Sequence, residues 1–147
     1  IVENDCPVCL MHMKGIPGNM QKDPKYGDVL REVRDHLQVA SMKLIDKGLD
    51  PSNIVVDPGI GFGKLLEHNL SLLSSGRSVM PVEGMNLMWG VSRKSMFRHM
   101  LGRDNSEDRL AGTLGVAAMA SEKGVDIIRV HDVAEHNDLF SMMGGIR

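Results

Sequence analysis

The segment Asp57-Pro58-Gly59-Ile60-Gly61-Phe62-Gly63-Lys64 carries the most concentrated chemistry in the chain. It follows Ile54-Val55-Val56, an apolar β-branched run that reads as a short buried strand, and it precedes Glu67-His68-Asn69-Leu70, which reads as the opening of a helix. A carboxylate therefore stands at the carboxyl end of a strand. Three glycines at alternate positions follow it, so the backbone can turn tightly and a flat ligand or an anion can approach closely. An aspartate in this place also serves an ordinary βα turn by accepting from backbone amides, and the segment by itself leaves both roles open. Two nucleotide motifs are excluded. A Walker A loop needs glycine where Pro58 stands and Ser or Thr where Leu65 stands, and the dinucleotide fingerprint G-x-G-x-x-G does not match glycines spaced G-x-G-x-G.

Three other stretches place polar side chains at the ends of strand-like runs. Pro7 to Met13 leads through His12 into the loop Lys14-Gly15-Ile16-Pro17-Gly18-Asn19; Met85 to Val91 leads into Ser92-Arg93-Lys94-Ser95; Val125 to Val130 contains Arg129 and leads into His131-Asp132-Val133. Helical spacing fills the intervals. A helix is expected from about Tyr26, with Val29, Val33, Leu37, Ala40 and Leu44 on one face and Gly48 as its stop. Further helices are expected through Leu66 to Leu73, from Met96, through Leu110 to Met119, and after Val133; Gly76 to Gly84 reads as irregular. Strand then helix, four times over, implies parallel strands joined by right-handed crossovers, with all four strand ends on one face.

Collecting those ends gives His12, Asp57, Ser92, Arg93, Lys94, Arg129 and His131, one carboxylate among several cations and donors. Such a set suits a ligand that has an anionic group and an amide or guanidine-like edge which a single carboxylate can grip with two hydrogen bonds. Arg129 and His131 alternate along a strand, so they face the same way and can share one phosphate. Any one of these cations also has an ordinary use in a surface ion pair.

Composition narrows the class. The chain has 147 residues, 42% hydrophobic and 24% charged, which suits one domain or part of a larger one, and a net charge of -2 implies no nucleic-acid surface. No membrane span or basic-then-apolar leader is present, so a soluble cytoplasmic protein is expected. The chain opens on Ile1 rather than methionine, which suggests an excerpt or a processed product. Cys6-Pro7-Val8-Cys9 matches C-x-x-C but runs into a strand rather than opening a helix, so two buried or half-buried thiols without a chemical role are expected.

Four motifs together resemble those of the dihydropteroate synthase family: Met11-His12-Met13 with Met20-Gln21; Asp57 to Lys64 with His68-Asn69; Val91-Ser92-Arg93-Lys94-Ser95; and Ile128-Arg129-Val130-His131-Asp132-Val133. Their order and spacing match as well, and the likeness is weakest from Ser74 to Trp89. It implies a pterin-binding TIM barrel, of which residues 1–147 would be one domain, the carboxyl-terminal half, made of about four parallel (β/α) units. It further implies condensation of a dihydropterin methyl pyrophosphate with p-aminobenzoate, giving dihydropteroate and pyrophosphate in folate synthesis. Asp57 would accept from the pterin's amino and ring NH groups and Lys94 would donate to its carbonyl and ring nitrogen. Arg129 would stack on the pterin and, with His131, hold the pyrophosphate. Phe62 and Ser92 would contact p-aminobenzoate, Met11 would line the pterin pocket, and Gly61 and Arg93 complete the substrate-binding set. Lys94, Arg129 and Asp57 would be the catalytic residues.

The same resemblance implies magnesium, held by a residue outside the matched half, and a homodimer formed through the last helices. It also implies a sulfonamide target. A free half-barrel would expose two strand edges and an apolar inner face, so a fragment of a longer enzyme, or a missing half supplied by another chain, is expected. The alternatives are the pterin-binding module of a methyltetrahydrofolate-dependent methyltransferase, which has no pyrophosphate for Arg129 and His131 to hold, and a non-catalytic half-barrel remnant.

Overall fold

A computed structural model describes residues 1–4 and 6–146. Four parallel strands, β1 (Val8–Met11), β2 (Ile54–Asp57), β3 (Asn86–Trp89) and β4 (Ile127–Ile128), lie side by side in sequence order. The helices between and after them are α1 (Val29–Ile45), α2 (Leu66–Ser75), α3 (Met96–Leu101), α4 (Leu110–Ala120) and α5 (Val133–Ile146). These are the four parallel βα units that the alternation of strand and helix patterns implied, of the kind that the family resemblance placed in a TIM barrel.

Strand register sorts the side chains onto two faces, because paired residues in neighbouring strands point the same way. Ile54, Val56, Leu87 and Trp89 face the helices and are fully buried against Val33 and Leu37 of α1 and Leu72 of α2. The opposite face carries Cys9 paired with Val55, Met11 paired with Asp57, and Met88 paired with Ile127. It is open: Met11 is 38% and Ile127 40% exposed. The expected uncovered inner face is therefore present, and β1 and β4 each keep one free edge within this sheet. Register also corrects the reading of the cysteines. Cys6 precedes β1 and Cys9 lies on its uncovered face, so both are exposed free thiols rather than buried ones.

Several boundaries moved for local reasons. Helix α1 starts at Val29, not Tyr26, because the Asp28 side chain caps it by accepting from the Arg31 N–H; Tyr26 instead donates its hydroxyl to Gly63 O at 2.8 Å. Strand β4 has two residues where six were expected. Asp126 diverts the ladder at its start, its carboxylate accepting the Leu87 N–H at 2.8 Å. Strand β3 stops at Trp89, since Val91 O closes a turn with the Lys94 N–H. The stretch that read as irregular holds a 3-10 turn at Gly76–Val79, tied down by Arg77, whose guanidinium donates to Gly124 O, Met85 O and Asp126.

Helix α4 packs through small residues, and two of them differ sharply. A Cβ on Gly112 would stand 2.6 Å from the buried Phe97 ring, whereas Gly115 has nothing within 4 Å. Gly112→Ala is expected to destabilise the chain by about 1–3 kcal/mol through overpacking. Gly115→Ala is expected to stabilise it by about 0.5–1 kcal/mol through helix propensity. Urea midpoints of the two variants check this; equal midpoints would contradict it. No helix among the described residues is long and apolar enough to cross a membrane.

Candidate functional site

At the carboxyl ends of β1 and β2 the chain makes a close-fitting turn. His12 N–H donates to Asp57 O at 3.0 Å, continuing the pairing one step past β1. Asp57 Oδ1 accepts from the Gly59 N–H at 2.8 Å, the Phe62 N–H reaches Gly59 O at 3.0 Å, and Asn69 Oδ1 of α2 takes the Gly61 N–H at 2.7 Å. Gly59, Gly61 and Gly63 all have positive φ, so the alternating glycines are demanded by the backbone. Asp57 thus performs the turn-capping role and keeps its second oxygen for something else.

Lys64 locks this turn from beneath. Only 3% exposed, its ammonium donates to Gly59 O at 2.9 Å and Phe62 O at 3.0 Å and lies 2.9 Å from His12 Nδ1. Burial lowers its pKa to about 7, and burial together with the Lys64 charge holds His12 down to about 3. With so low a pKa His12 is neutral at physiological pH, and its Nδ1 accepts from Lys64. It is therefore part of the scaffold, not one of the cations facing a ligand.

The other two strand ends close on Asp57. Lys94 donates to Ile60 O, and its ammonium lies 4.4 Å from the centre of the Phe62 ring. Burial lowers the Lys94 pKa to about 8 against the pull of Asp57. Arg129 passes over Gly90, where an added Cβ would meet its guanidinium at 3.3 Å and the Asp57 carboxylate at 3.5 Å. Asp57 is 1% exposed, and burial raises its pKa although Lys94, Arg129 and Lys64 oppose the shift. His131 Nδ1 lies 2.8 Å from Ser92 Oγ, which also accepts the His131 backbone N–H at 3.2 Å.

The sequence-predicted residues Asp57, Gly61, Phe62, Lys94 and Arg129 are thereby gathered into one cluster, with the Ser92–His131 pair at its side. Met11 stands beside Asp57 in register on the open face. Arg93 is engaged elsewhere: its guanidinium forms a two-pronged pair with Asp132. Sequence reasoning gave no role to Lys64, Asn69, Gln21 or Gly90. Gln21 donates to Gly61 O. Lys64 and Asn69 sit within the conspicuous motif, but only the fold shows them turned inward; nothing in the chain marked Gly90 beyond its place at the end of a strand.

Parallel βα units with a buried carboxylate, cations and a glycine-lined floor gathered at the carboxyl ends of the strands define an α/β protein whose functional groups stand where this class places them. Comparison with known proteins makes this particular: residues 1–131 match the family of pterin binding enzymes, and the chain belongs to that family. It is 43% identical over 129 residues to a dihydropteroate synthase of Neisseria meningitidis serogroup C, covering 88% of this chain and 46% of that protein. It is 44% identical over 133 residues to that of Escherichia coli K12, covering 90% and 46%. The solved dihydropteroate synthase of Stenotrophomonas maltophilia superimposes with a TM-score of 0.92 at 35% identity, over 99% of this chain and 54% of the other. That of Burkholderia cenocepacia, complexed with 7,8-dihydropteroate, does so with a TM-score of 0.86 at 39% identity, over 95% and 52%. The chain spans about half the length of the relatives it matches.

Proposed function

We propose that this chain forms the carboxyl-terminal half of a dihydropteroate synthase active site, joining a dihydropterin methyl pyrophosphate to p-aminobenzoate with release of pyrophosphate. The observation that carries the reading is Asp57, a carboxylate held in a dry turn with one oxygen committed to Gly59 and facing Lys94 and Arg129. A pterin edge with adjacent NH donors suits the carboxylate, and the pterin carbonyl suits Lys94. Arg129, laid over Gly90, offers its flat guanidinium to the ring face. Phe62 and Ser92 flank the place for p-aminobenzoate, and Met11 and Gly61 line the pterin side.

In the reaction the bond from the pterin methylene to the pyrophosphate oxygen breaks, and its electron pair leaves with pyrophosphate. The methylene cation is delocalised into the pterin, the amine lone pair of p-aminobenzoate forms the new C–N bond, and the surplus amine proton passes to water. Arg129 and His131 stabilise the charge on the leaving group; Asp57 stabilises the electron-poor ring. Asp57 grips the far edge of the ring and is not the base for the amine.

Among the described residues the site does not fit a magnesium ion. No three His, Cys, Asp or Glu side chains cluster to hold a metal among the described residues, and the one carboxylate of the site is surrounded by cations. No step is derived through the ion. A homodimer is part of the same proposal, supported by the exposed apolar side chains Leu70, Met100, Leu101 and Met119, which line one cavity of about 350 Å³ between α2, α3 and α4. So is a cytoplasmic setting, with which the two free thiols agree.

The deciding experiment is pyrophosphate release in the presence of both substrates. It is run with this chain alone and with the chain joined to the first four βα units of the family. Release that requires both substrates supports the proposal; pterin binding without release from either preparation points to a methyl-transfer module or a remnant. Where release occurs, its kcat/KM is expected to fall on the alkaline side with a midpoint near the Lys94 value of about 8, because the ammonium gives the pterin carbonyl a charge-assisted hydrogen bond that the neutral amine gives only weakly. A profile flat through that region would remove Lys94 from this role.

A further inference from the structure

Arg93 is one of two described non-glycine residues with positive φ, +56°, and it stands third in the turn that Lys94 N–H closes on Val91 O. Glycine or asparagine is the usual residue there, and a bulky side chain in this conformation costs about 1–2 kcal/mol. The surrounding structure holds it on three sides. Thr113 Oγ1 of α4 accepts the Arg93 N–H at 3.1 Å while donating to Arg109 O at 3.0 Å. The buried Arg109 guanidinium donates to Arg93 O at 2.9 Å, and to Arg103 O at 3.0 Å and Asp104 O at 2.6 Å. The Arg93 side chain grips Asp132, the residue after His131.

Both residues flanking Arg93 belong to the site. Ser92 meets His131, and Lys94 reaches over Phe62. A peptide unit turned at Arg93 would move both at once, and the Asp132 grip fixes the separation across which Ser92 and His131 meet. We propose that Arg109 is a positioning residue of the proposed synthase site: through the left-handed backbone of Arg93 it sets Ser92 and Lys94, with Thr113 and Asp132 completing the clamp. The role in catalysis rests on the function proposed above, whereas the clamp itself is a property of the unliganded chain. Arg109 would touch no substrate. Its guanidinium is spent on three backbone carbonyls, which a lysine ammonium cannot span in one plane.

The test reads the clamp directly, without ligand or turnover. In this chain, Arg109→Met and Thr113→Val are made singly and together, and the imidazole nitrogens of His131 and the amides of Ser92 and Lys94 are followed by nuclear magnetic resonance. Each single variant is expected to shift or broaden those signals while leaving the amides of β1 and α1 in place. The double variant is expected to add little to the larger single effect, because both groups act on the same peptide. Arg109→Lys should recover the signals only in part. Unchanged His131, Ser92 and Lys94 signals in folded Arg109→Met would overturn the proposal, as would changes spread evenly over the spectrum or effects that simply add. If Arg109→Met does not fold, Thr113→Val decides alone, by the presence or absence of the same local shifts. Failure of the synthase reading would appear separately, as absence of pterin binding by a wild type with an intact clamp.

Discussion

Asp57→Asn is expected to abolish pterin binding while leaving the fold intact. Asparagine keeps an oxygen for the Gly59 N–H, which the aspartate accepts at 2.8 Å, so the turn has no reason to open. Its amide nitrogen, however, would face the NH donors of the ligand where an acceptor is needed. Hydrogen bonds to a charged group contribute about 1.5–3 kcal/mol each, so losing two of them corresponds to roughly 3–6 kcal/mol, or about a 100- to 10,000-fold loss of affinity. Calorimetric titration of this chain with a pterin analogue reads the difference. Binding that survives the substitution would remove Asp57 from the site. A folded wild-type chain that binds nothing would show that the pocket also needs strands on the uncovered side of the sheet.

Stability should move the other way. Burial raises the Asp57 pKa, so the folded state holds its proton more tightly than the unfolded state. Stability therefore falls as pH rises from the ordinary carboxylate value through the raised folded value. Above that range the folded chain carries the cost of a desolvated carboxylate. The uncharged asparagine avoids it, so without ligand the variant's melting temperature is expected to equal or exceed that of the wild type. A site that weakens the apo fold in order to hold a ligand behaves in this way.

Gly59→Ala is expected to be the most damaging small substitution in the chain. A Cβ there would lie 1.8 Å from His12 O and 2.9 Å from its carbonyl carbon, at a φ of +69°. The obstacle is backbone, not a side-chain tip. It sits where His12 N–H pairs with Asp57 O, so relief requires parting the ends of β1 and β2. The left-handed conformation alone costs about 1–2 kcal/mol, and with the lost packing and hydrogen bonds a total above about 4 kcal/mol follows, a large share of a typical domain's stability. Gly18→Ala, with nothing within 4 Å, is the control and should shift the urea midpoint little. A Gly59→Ala chain as stable as that control would contradict the geometry of the turn.

The elements were legible because they rest on local rules. The α1 stripe of Val29, Val33 and Leu37 announced a helix and buried the face it implied. Boundaries were legible only where a side chain advertised its role. Asp28 could have been recognised as the cap of α1, with Tyr26 left free for Gly63. The two-residue β4 could not, because it depends on Asp126 meeting Leu87 from 39 residues away. The cysteines were misplaced for a related reason: a strand pattern says that alternate residues share a face, not that the face is covered.

The order of the four βα units, and the placing of His12, Asp57, Ser92, Arg93, Lys94, Arg129 and His131 at the ends of their strands, were determined by the sequence alone, because residue type and short-range spacing suffice for them. Only the tertiary structure decided that Lys64 and His12 lock the turn from below, that Arg93 turns away to Asp132, and that Arg109 reaches back 16 residues to hold it. Each of these depends on which buried polar atoms meet once the strand ends converge. A buried donor must find an acceptor wherever the fold provides one, and neither composition nor periodicity says which acceptor that is.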